Sequence, residues 1–419
     1  MLESKNIFYQ LGEKSIRLIT SLIITYALLS TLDENIYGMM STFTVINVTL
    51  MVLVTLGIKD KFVIMLVNGQ ISKNLSFKIC ITLFFLTLGI LVAIQIALIL
   101  NSTEKVEYLC ASLISLQLIS NLFIIGRYSS EASEKFKLIS GIDLALNICS
   151  LPIKYYFIVF YNSLNLFLIV LALEMILSNA LLFYLSRKKL FKDSNKPKLF
   201  LDLIRSSLPI LLSSLIIIIY YRVDQVMISI LVGYSETAIY AAGSKVTEIF
   251  YFIPMTITAV LFPRMIRDHN GNLELSPLIV KPLIFYLFWM SILTAIIISF
   301  LIEPVWGYFL QGKYQESINI ILIHCWTIPF VALGIIGSRL YVIRGFERLL
   351  FKRSLTILII NIILNVPAII LFGALGAAIT TFICQIVAGL IFDLVNLNTR
   401  SIFILKIKSV LFGYKVQRI

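Results

Sequence analysis

Apolar positions run along the chain in long blocks separated by short charged or polar stretches. Blocks at 15–33, 37–58, 76–100, 106–126, 137–160, 163–185, 203–232, 238–263, 280–302, 317–338, 354–372 and 374–397 come near or exceed the roughly 20 residues that carry an α-helix across hydrocarbon. Each predicts a membrane-spanning helix, because backbone polar groups in lipid must be satisfied within the segment itself. The fifth and sixth blocks are separated by only a brief turn within "LPIKYYFIVFYNSLNLF", and the last two join at "FGALGAA".

Composition agrees with this pattern. Of 419 residues, 59% are hydrophobic and 14% charged, with mean hydropathy +0.97, well outside the soluble range. Spans and short connections use up the chain and leave no room for a soluble catalytic domain. The five cysteines, Cys80, Cys110, Cys149, Cys325 and Cys384, lie in or beside apolar runs without metal-ligand spacing and read as small hydrophobes. The opening "MLESKNIFYQLGEK" is polar and has no small-residue cleavage site, so the first span is expected to stay in the mature chain.

Charge sets the orientation. With the N-terminus cytoplasmic, the inner segments collect Lys5, Lys14, Arg17, Lys59, Lys61, Arg127 and Lys135, the dense "SRKKLFKDSNKPKLFLDLIR" at 186–205, and basic residues through to the tail. The outer side receives only Lys105 and Lys313. This is the positive-inside pattern of an even number of spans with both termini cytoplasmic. It accounts for most of the formal charge of +13, so no nucleic-acid partner is expected. The expected fold is an all-α polytopic membrane protein of about 12 transmembrane helices in two six-helix lobes around a central cavity. Its divisions are an N-terminal lobe at 1–185, a basic cytoplasmic linker at 186–202, a C-terminal lobe at 203–397 and a basic tail at 398–419. A faint echo between "LDENIYGMMSTFTVI" and "GYSETAIYAAGSKVTEI" supports two halves of matching topology, the common plan of a secondary transporter.

Charges inside the spans carry the chemistry. Lys154, Arg222 and Lys245 are the mid-span cations, and Asp143, Glu174, Asp224, Glu248 and Asp393 the acids. Each costs at least about 2.5–3.5 kcal/mol in hydrocarbon, so together they imply a polar interior or water-filled cavity. Asp143, Asn147, Ser150 and Lys154 make one stripe along a helix, and Tyr221, Arg222, Gln225 and Ser229 another. Asp224, two positions from Arg222, points elsewhere. Lys245 and Glu248, three apart, are placed to pair. Glu174 shares a face with Ser178. Each acid is either a cation-coupling carboxylate or a counter-ion. Lys154 lies near enough the outer face to snorkel, and Asp393 near enough the cytoplasmic end to be wetted. Neither His269 nor His324 has a second convergent ligand, so no metal is expected. Tyr155, Tyr156, Tyr161, Tyr220, Tyr221, Tyr240 and Tyr251 gather in the central spans, and aromatic rings of this kind are compatible with a saccharide.

The stretch "YYRVDQVMISILVGYSETAIYAAGSKVTEIFYFIPMTITAVLFPRM", 220–265, with "FGALGAAITTFICQ" at 372–385, resembles the bacterial polysaccharide and O-antigen repeat-unit flippases. These form the polysaccharide-transporter branch of a superfamily that also holds multidrug and toxin extruders. The resemblance implies a non-enzymatic transporter in the bacterial inner membrane. Its substrate would be a polyprenyl-pyrophosphate-linked oligosaccharide, flipped from the cytoplasmic to the periplasmic leaflet by alternating access. It implies a cationic cavity of Arg222, Lys245 and Lys154 with Tyr221 and Gln225, since arginine offers forked donors to phosphate oxygens. Asp143, Glu174, Asp224 and Glu248 are the candidates for coupling to H+ or Na+, and no other cofactor is expected. A monomer is expected, with membrane lipids and a polysaccharide polymerase or glycosyltransferases as further partners. The rivals are less well matched. A multidrug extruder would want an acidic cavity, a peptidoglycan-precursor flippase has two further spans, and a membrane polymerase needs a substantial outer loop.

Overall fold

The computed structural model describes residues 2–101, 105–190, 200–269, 277–395 and 397–413, and among these all regular structure is helical. Two compact units, Met1–Ile219 and Tyr220–Ile419, divide the chain. The division falls inside one long helix, Phe200–Leu231. The centre of the expected basic linker, 191–199, lies outside the described residues.

In the first unit, α1 (Leu2–Thr31), α2 (Glu34–Val54), α3 (Lys59–Val67) and α4 (Lys73–Asn101) lead into α5 (Lys105–Ser115). A 3₁₀ stretch, Leu116–Phe123, then tightens the chain before α6 (Ile124–Ala132), and α7 (Phe136–Val159) and α8 (Leu164–Leu190) follow. The Asp33 carboxylate accepts from the Asn35 amide and caps the start of α2. α7 continues helically through Pro152. The apolar core gathers Val54, Phe62, Leu75, Leu83, Leu118, Ile125 and Tyr128. α6 meets α8 at Gly126, where a Cβ would come within 2.2 Å of the Phe183 backbone. Membrane helices associate through such small residues, which let backbones approach where lipid is as apolar as leucine.

In the second unit, the remainder of α9 (Phe200–Leu231) is followed by α10 (Tyr234–Phe250), α11 (Phe252–His269), α12 (Pro277–Leu310), α13 (Ser317–Cys325) and α14 (Ile328–Ile343). Next come α15 (Glu347–Ile386), a π-helical turn Val387–Ile391, α16 (Phe392–Val395) and α17 (Arg400–Phe412). The junction predicted at "FGALGAA" is a single residue. Gly373, at φ 57° and ψ −139°, breaks α15 in a region that residues bearing a Cβ rarely occupy. The chain folds back there so tightly that a Cβ on Gly376 would meet the Ala368 carbonyl at 2.0 Å. The Ala374 amide, opening the returning segment, donates to the Glu236 carboxylate at 2.7 Å, which satisfies one of the orphaned donors at a helix start.

Helix occupies all twelve apolar blocks. Among the described residues, eight helices are long and apolar enough to cross a membrane, or nine if the α13–α14 pair, bent by 45°, is one span. α1 and α2 are not among them, and the eleventh and twelfth blocks lie within a single run, Arg348–Val395, broken at Gly373.

The C-terminal segment corrects two expectations. Asp393 is wholly buried rather than wetted, and Lys406, counted by its position as a cytoplasmic tail charge, is buried against it. The Lys406 Nζ donates to Asp393 Oδ2 at 2.6 Å and to the Gly389 carbonyl at 2.7 Å, while Tyr341 donates to the other carboxylate oxygen. Gly389 belongs to the π turn, where the regular i→i−4 ladder is interrupted. The lysine therefore anchors α17 through a carboxylate and a helix irregularity at once.

Candidate functional site

The polar stripe expected along α7 is present, and the packing supplies its partners. In the first unit, Asn147, Ser150 and Lys154 on α7 all donate to the Glu174 carboxylate on α8. Lys154 is 95% buried and forms an ion pair with Glu174. It does not snorkel, because a carboxylate one helix away offers a closer counter-ion than the membrane surface. One turn along α7, Asp143 receives both terminal nitrogens of Arg127 at 2.8 Å. Arg127 Nη2 also donates to Ser178, its Nε donates to Asn179, and Arg17 stands 3.7 Å from the same carboxylate. Glu174 and Ser178 share one face of α8, as their spacing implied.

By position in the sequence, Arg127 and Arg17 count as cytoplasmic topological charges. Arg127 lies within the apolar run Lys105–Ala132. Nothing in the local sequence "IIGRYSS" separates a membrane-facing arginine from one turned inward. The sole hint is that Asp143 needs a counter-ion and has none within a turn of it on its own helix.

In the second unit, Arg222 on α9 makes a bidentate pair with Glu248 on α10, both contacts at 3.0 Å. This fork-to-carboxylate geometry is the strong form of the interaction. It corrects the expected Lys245–Glu248 pairing, since Arg222 occupies both carboxylate oxygens. Lys245, half-buried on the same helix, feels Glu248 and Arg222 and forms no ion pair among the described residues. The Arg222 side chain is 34% exposed and that of Glu248 27%, so the pair remains within reach of water. Tyr221 is exposed and Gln225 buried, which splits the expected stripe of Tyr221, Arg222, Gln225 and Ser229 across an edge of the helix.

Asp224 points away from Arg222, as its spacing required, and is 96% buried. Among the described residues, only neutral groups hydrogen-bond to it: Tyr240 at 2.8 Å, Thr381 at 2.5 Å and Asn365 at 2.7 Å. Asn365 Nδ2 donates onward to the Asn361 side-chain Oδ1 at 3.0 Å, and its own Oδ1 has no partner among the described residues. A buried carboxylate without a cation costs several kcal/mol. The oxygens of Asp224, Asn361, Asn365 and Thr381 form a hard donor set suited to a small cation or a proton. Asn361, Asn365 and Thr381 escaped the sequence reading because single polar residues in apolar helices point nowhere until a second helix faces them. His324 is 97% buried against Tyr240. The His269 side chain lies outside the described residues. Among the described residues no His, Cys, Asp and Glu group could hold a metal ion.

Comparison with known proteins follows the same lines. Residues 4–269 match the family described as "Polysaccharide biosynthesis protein". The capsular polysaccharide biosynthesis protein CapF of Staphylococcus aureus is 25% identical over 328 residues, covering 77% of this chain and 80% of CapF. Among solved structures, the lipid II flippase MurJ in an inward closed conformation aligns with TM-score 0.75 at 15% identity, over 97% of this chain and 91% of that one. The eukaryotic MATE transporter AtDTX14 aligns with TM-score 0.56 at 15% identity, over 98% and 99%. A MOP-superfamily transporter from Pyrococcus furiosus aligns with TM-score 0.58 at 13% identity, over 99% and 95%. The fold is that of these transporters, and with the family matched over more than half its length, the chain belongs to the polysaccharide biosynthesis protein family.

Proposed function

We propose that this protein flips polyprenyl-pyrophosphate-linked oligosaccharide repeat units, precursors of O-antigen or capsule, from the cytoplasmic to the periplasmic leaflet of the bacterial inner membrane. In this reading the chain crosses the membrane twelve times with both termini cytoplasmic and works by alternating access, as a monomer, without covalent chemistry on the sugar. The observation that carries it is the half-exposed cationic cluster of the second unit. Arg222 and Lys245 stand there against one carboxylate, Glu248. The surplus positive charge suits a pyrophosphate and repels the organic cations that a multidrug extruder would move. Lys154, by contrast, is fully engaged by Glu174, so the headgroup role falls to Arg222 and Lys245, with Tyr221 beside them.

Coupling is assigned to Asp224. Asp143, Glu174 and Glu248 each already face a cation, whereas Asp224 is held only by neutral donors. Binding a proton or Na+ there relieves a buried charge and gives a gradient something to act on. Where Na+ is the coupling ion, Asp224, Asn361, Asn365 and Thr381 would hold it.

The test is reconstitution in liposomes carrying a polyprenyl-pyrophosphate oligosaccharide, with a membrane-impermeant glycosidase reporting the fraction exposed on the far leaflet. Wild type moves the lipid above protein-free vesicles. Arg222→Ala loses transport while inserting normally, because Lys245, three residues from Glu248, remains to balance that carboxylate. Retained transport in Arg222→Ala removes the pyrophosphate reading. Uptake of organic cations without lipid movement replaces it with the multidrug one.

A further inference from the structure

The C-terminal helix α17 is amphipathic in the reverse sense to a helix lying on water. Its inward face carries Lys406 and Ser409, both buried. Lys406 is held by Asp393 and the Gly389 carbonyl, and Ser409 donates to the Leu405 carbonyl one turn back at 2.6 Å. Its outward face carries Ile404, Leu411 and Phe412, which are 45%, 66% and 71% exposed. The turn leading into it repeats the pattern, with Val395 and Leu397 also exposed. A helix between protein and water turns its apolar stripe to the core and its charges outward. Here an ammonium is taken out of water while large apolar groups are left facing outward, and both are favourable together only where the outside is itself apolar.

The neighbouring helix α12 identifies that outside. Its run Ile279–Leu310 is long and apolar enough to cross a membrane. α17 lies along its first half: Ile402 shares a core cluster with Val280, Leu283 and Ile284, and further on Trp289 Nε1 donates to the Val410 carbonyl at 3.2 Å. The contacts rise together in both helices, so the two run the same way. The exposed apolar surface of α12 at Tyr286, Trp289 and Met290 therefore adjoins Leu411 and Phe412. The indole also meets a requirement of lipid. The last carbonyls of a helix have no partner within it, and in hydrocarbon the protein must supply one. At 13 residues and 1.5 Å per residue, α17 is about 20 Å long, short of the roughly 30 Å of hydrocarbon, so it does not cross.

We propose that α17 is a helix embedded in a single leaflet, with Ile404, Leu411 and Phe412 docked on the acyl chains of the leaflet in which α12 begins. Arg400 and Lys408, both exposed, extend from it to the lipid headgroups. This part of the expected cytoplasmic tail is then a membrane element. The inference needs α12 to span a membrane and is independent of what the protein transports.

The test places the photo-crosslinking residue p-benzoylphenylalanine at position 404, 411 or 412 of the full-length protein in liposomes of phosphatidylethanolamine and phosphatidylglycerol. Position 300, where Phe300 on α12 is 78% exposed, serves as the lipid-facing reference. Irradiation is expected to give phospholipid adducts, read by mass spectrometry, at yields like those from position 300. A cross-linked dimer in place of lipid adducts assigns the face to a second copy of the chain and overturns the proposal. So does the absence of adducts at all three positions, the result for a face in water. Leu411→Glu gives an independent reading without a crosslinker. It is expected to detach α17, seen as faster hydrogen exchange across 400–412, and unchanged exchange overturns the proposal because a face already in water accepts the charge without cost.

Discussion

At the scale of single residues, the ionised groups of the first unit work in pairs. Glu174 accepts from Lys154, Ser150 and Asn147, and removing its charge strands a buried ammonium. Glu174→Gln is therefore expected to destabilise the folded protein by about 3–5 kcal/mol, read as a lower unfolding midpoint in lipid micelles. The double variant Lys154→Met with Glu174→Leu is expected to regain most of that loss, because two apolar groups of similar size leave no orphaned charge. Equal destabilisation in the single and double variants would show that the pair is valued for something other than charge balance. Spacing alone disclosed the stripe Asn147, Ser150 and Lys154, since residues three and four apart share a helix face whatever surrounds them. It could not disclose that Glu248 would be taken by Arg222 rather than Lys245. That choice depends on the orientation of two side chains from neighbouring helices, and the fork of an arginine matches a carboxylate better than a point charge does.

At the scale of elements, close approaches decide which glycines matter. Gly126 packs against the α8 backbone with no room for a methyl group. Gly126→Ala is expected to part α6 from α8 and cost about 1–3 kcal/mol. Gly141, on α7, has nothing within 4 Å of its would-be Cβ, so Gly141→Ala is expected to be neutral or to stabilise by up to about 1 kcal/mol through helix propensity. Thermal unfolding of the two variants side by side checks the contrast, and similar losses in both would contradict the packing. The α15 break followed from "FGALGAA" because glycine at a junction of two apolar runs is the natural residue for a left-handed backbone. The docking of α17 was not legible. Lys406 sits among basic tail residues of identical composition, and only the buried Asp393 and the π turn at Gly389 set it apart.

At the scale of the whole molecule, the proposed transport needs a group of poorly compensated charge for a gradient to act on, the role proposed for Asp224. Asp224→Asn is expected to keep the fold, since Tyr240 and Thr381 can donate to the amide oxygen while the Asn365 amide turns its unpartnered Oδ1 to accept from the new NH2. In liposomes this variant is expected to equilibrate lipid-linked oligosaccharide down its own gradient but to lose acceleration by an imposed H+ or Na+ gradient. Acceleration equal to wild type would move the coupling site elsewhere. The amino-acid sequence by itself determined that the chain is helical, that it lives in a membrane, where its apolar blocks lie and which faces of them are polar. Those properties follow from helical periodicity and the cost of exposing backbone to lipid, both local to a segment. Only the tertiary structure decided which carboxylates are neutralised, that Arg127 turns inward to Asp143 and that Asp224 faces four oxygen-bearing side chains of other helices. Pairing belongs to contacts between different helices, from 16 residues apart for Arg127 with Asp143 to 157 for Asp224 with Thr381, and no periodicity within one segment carries them.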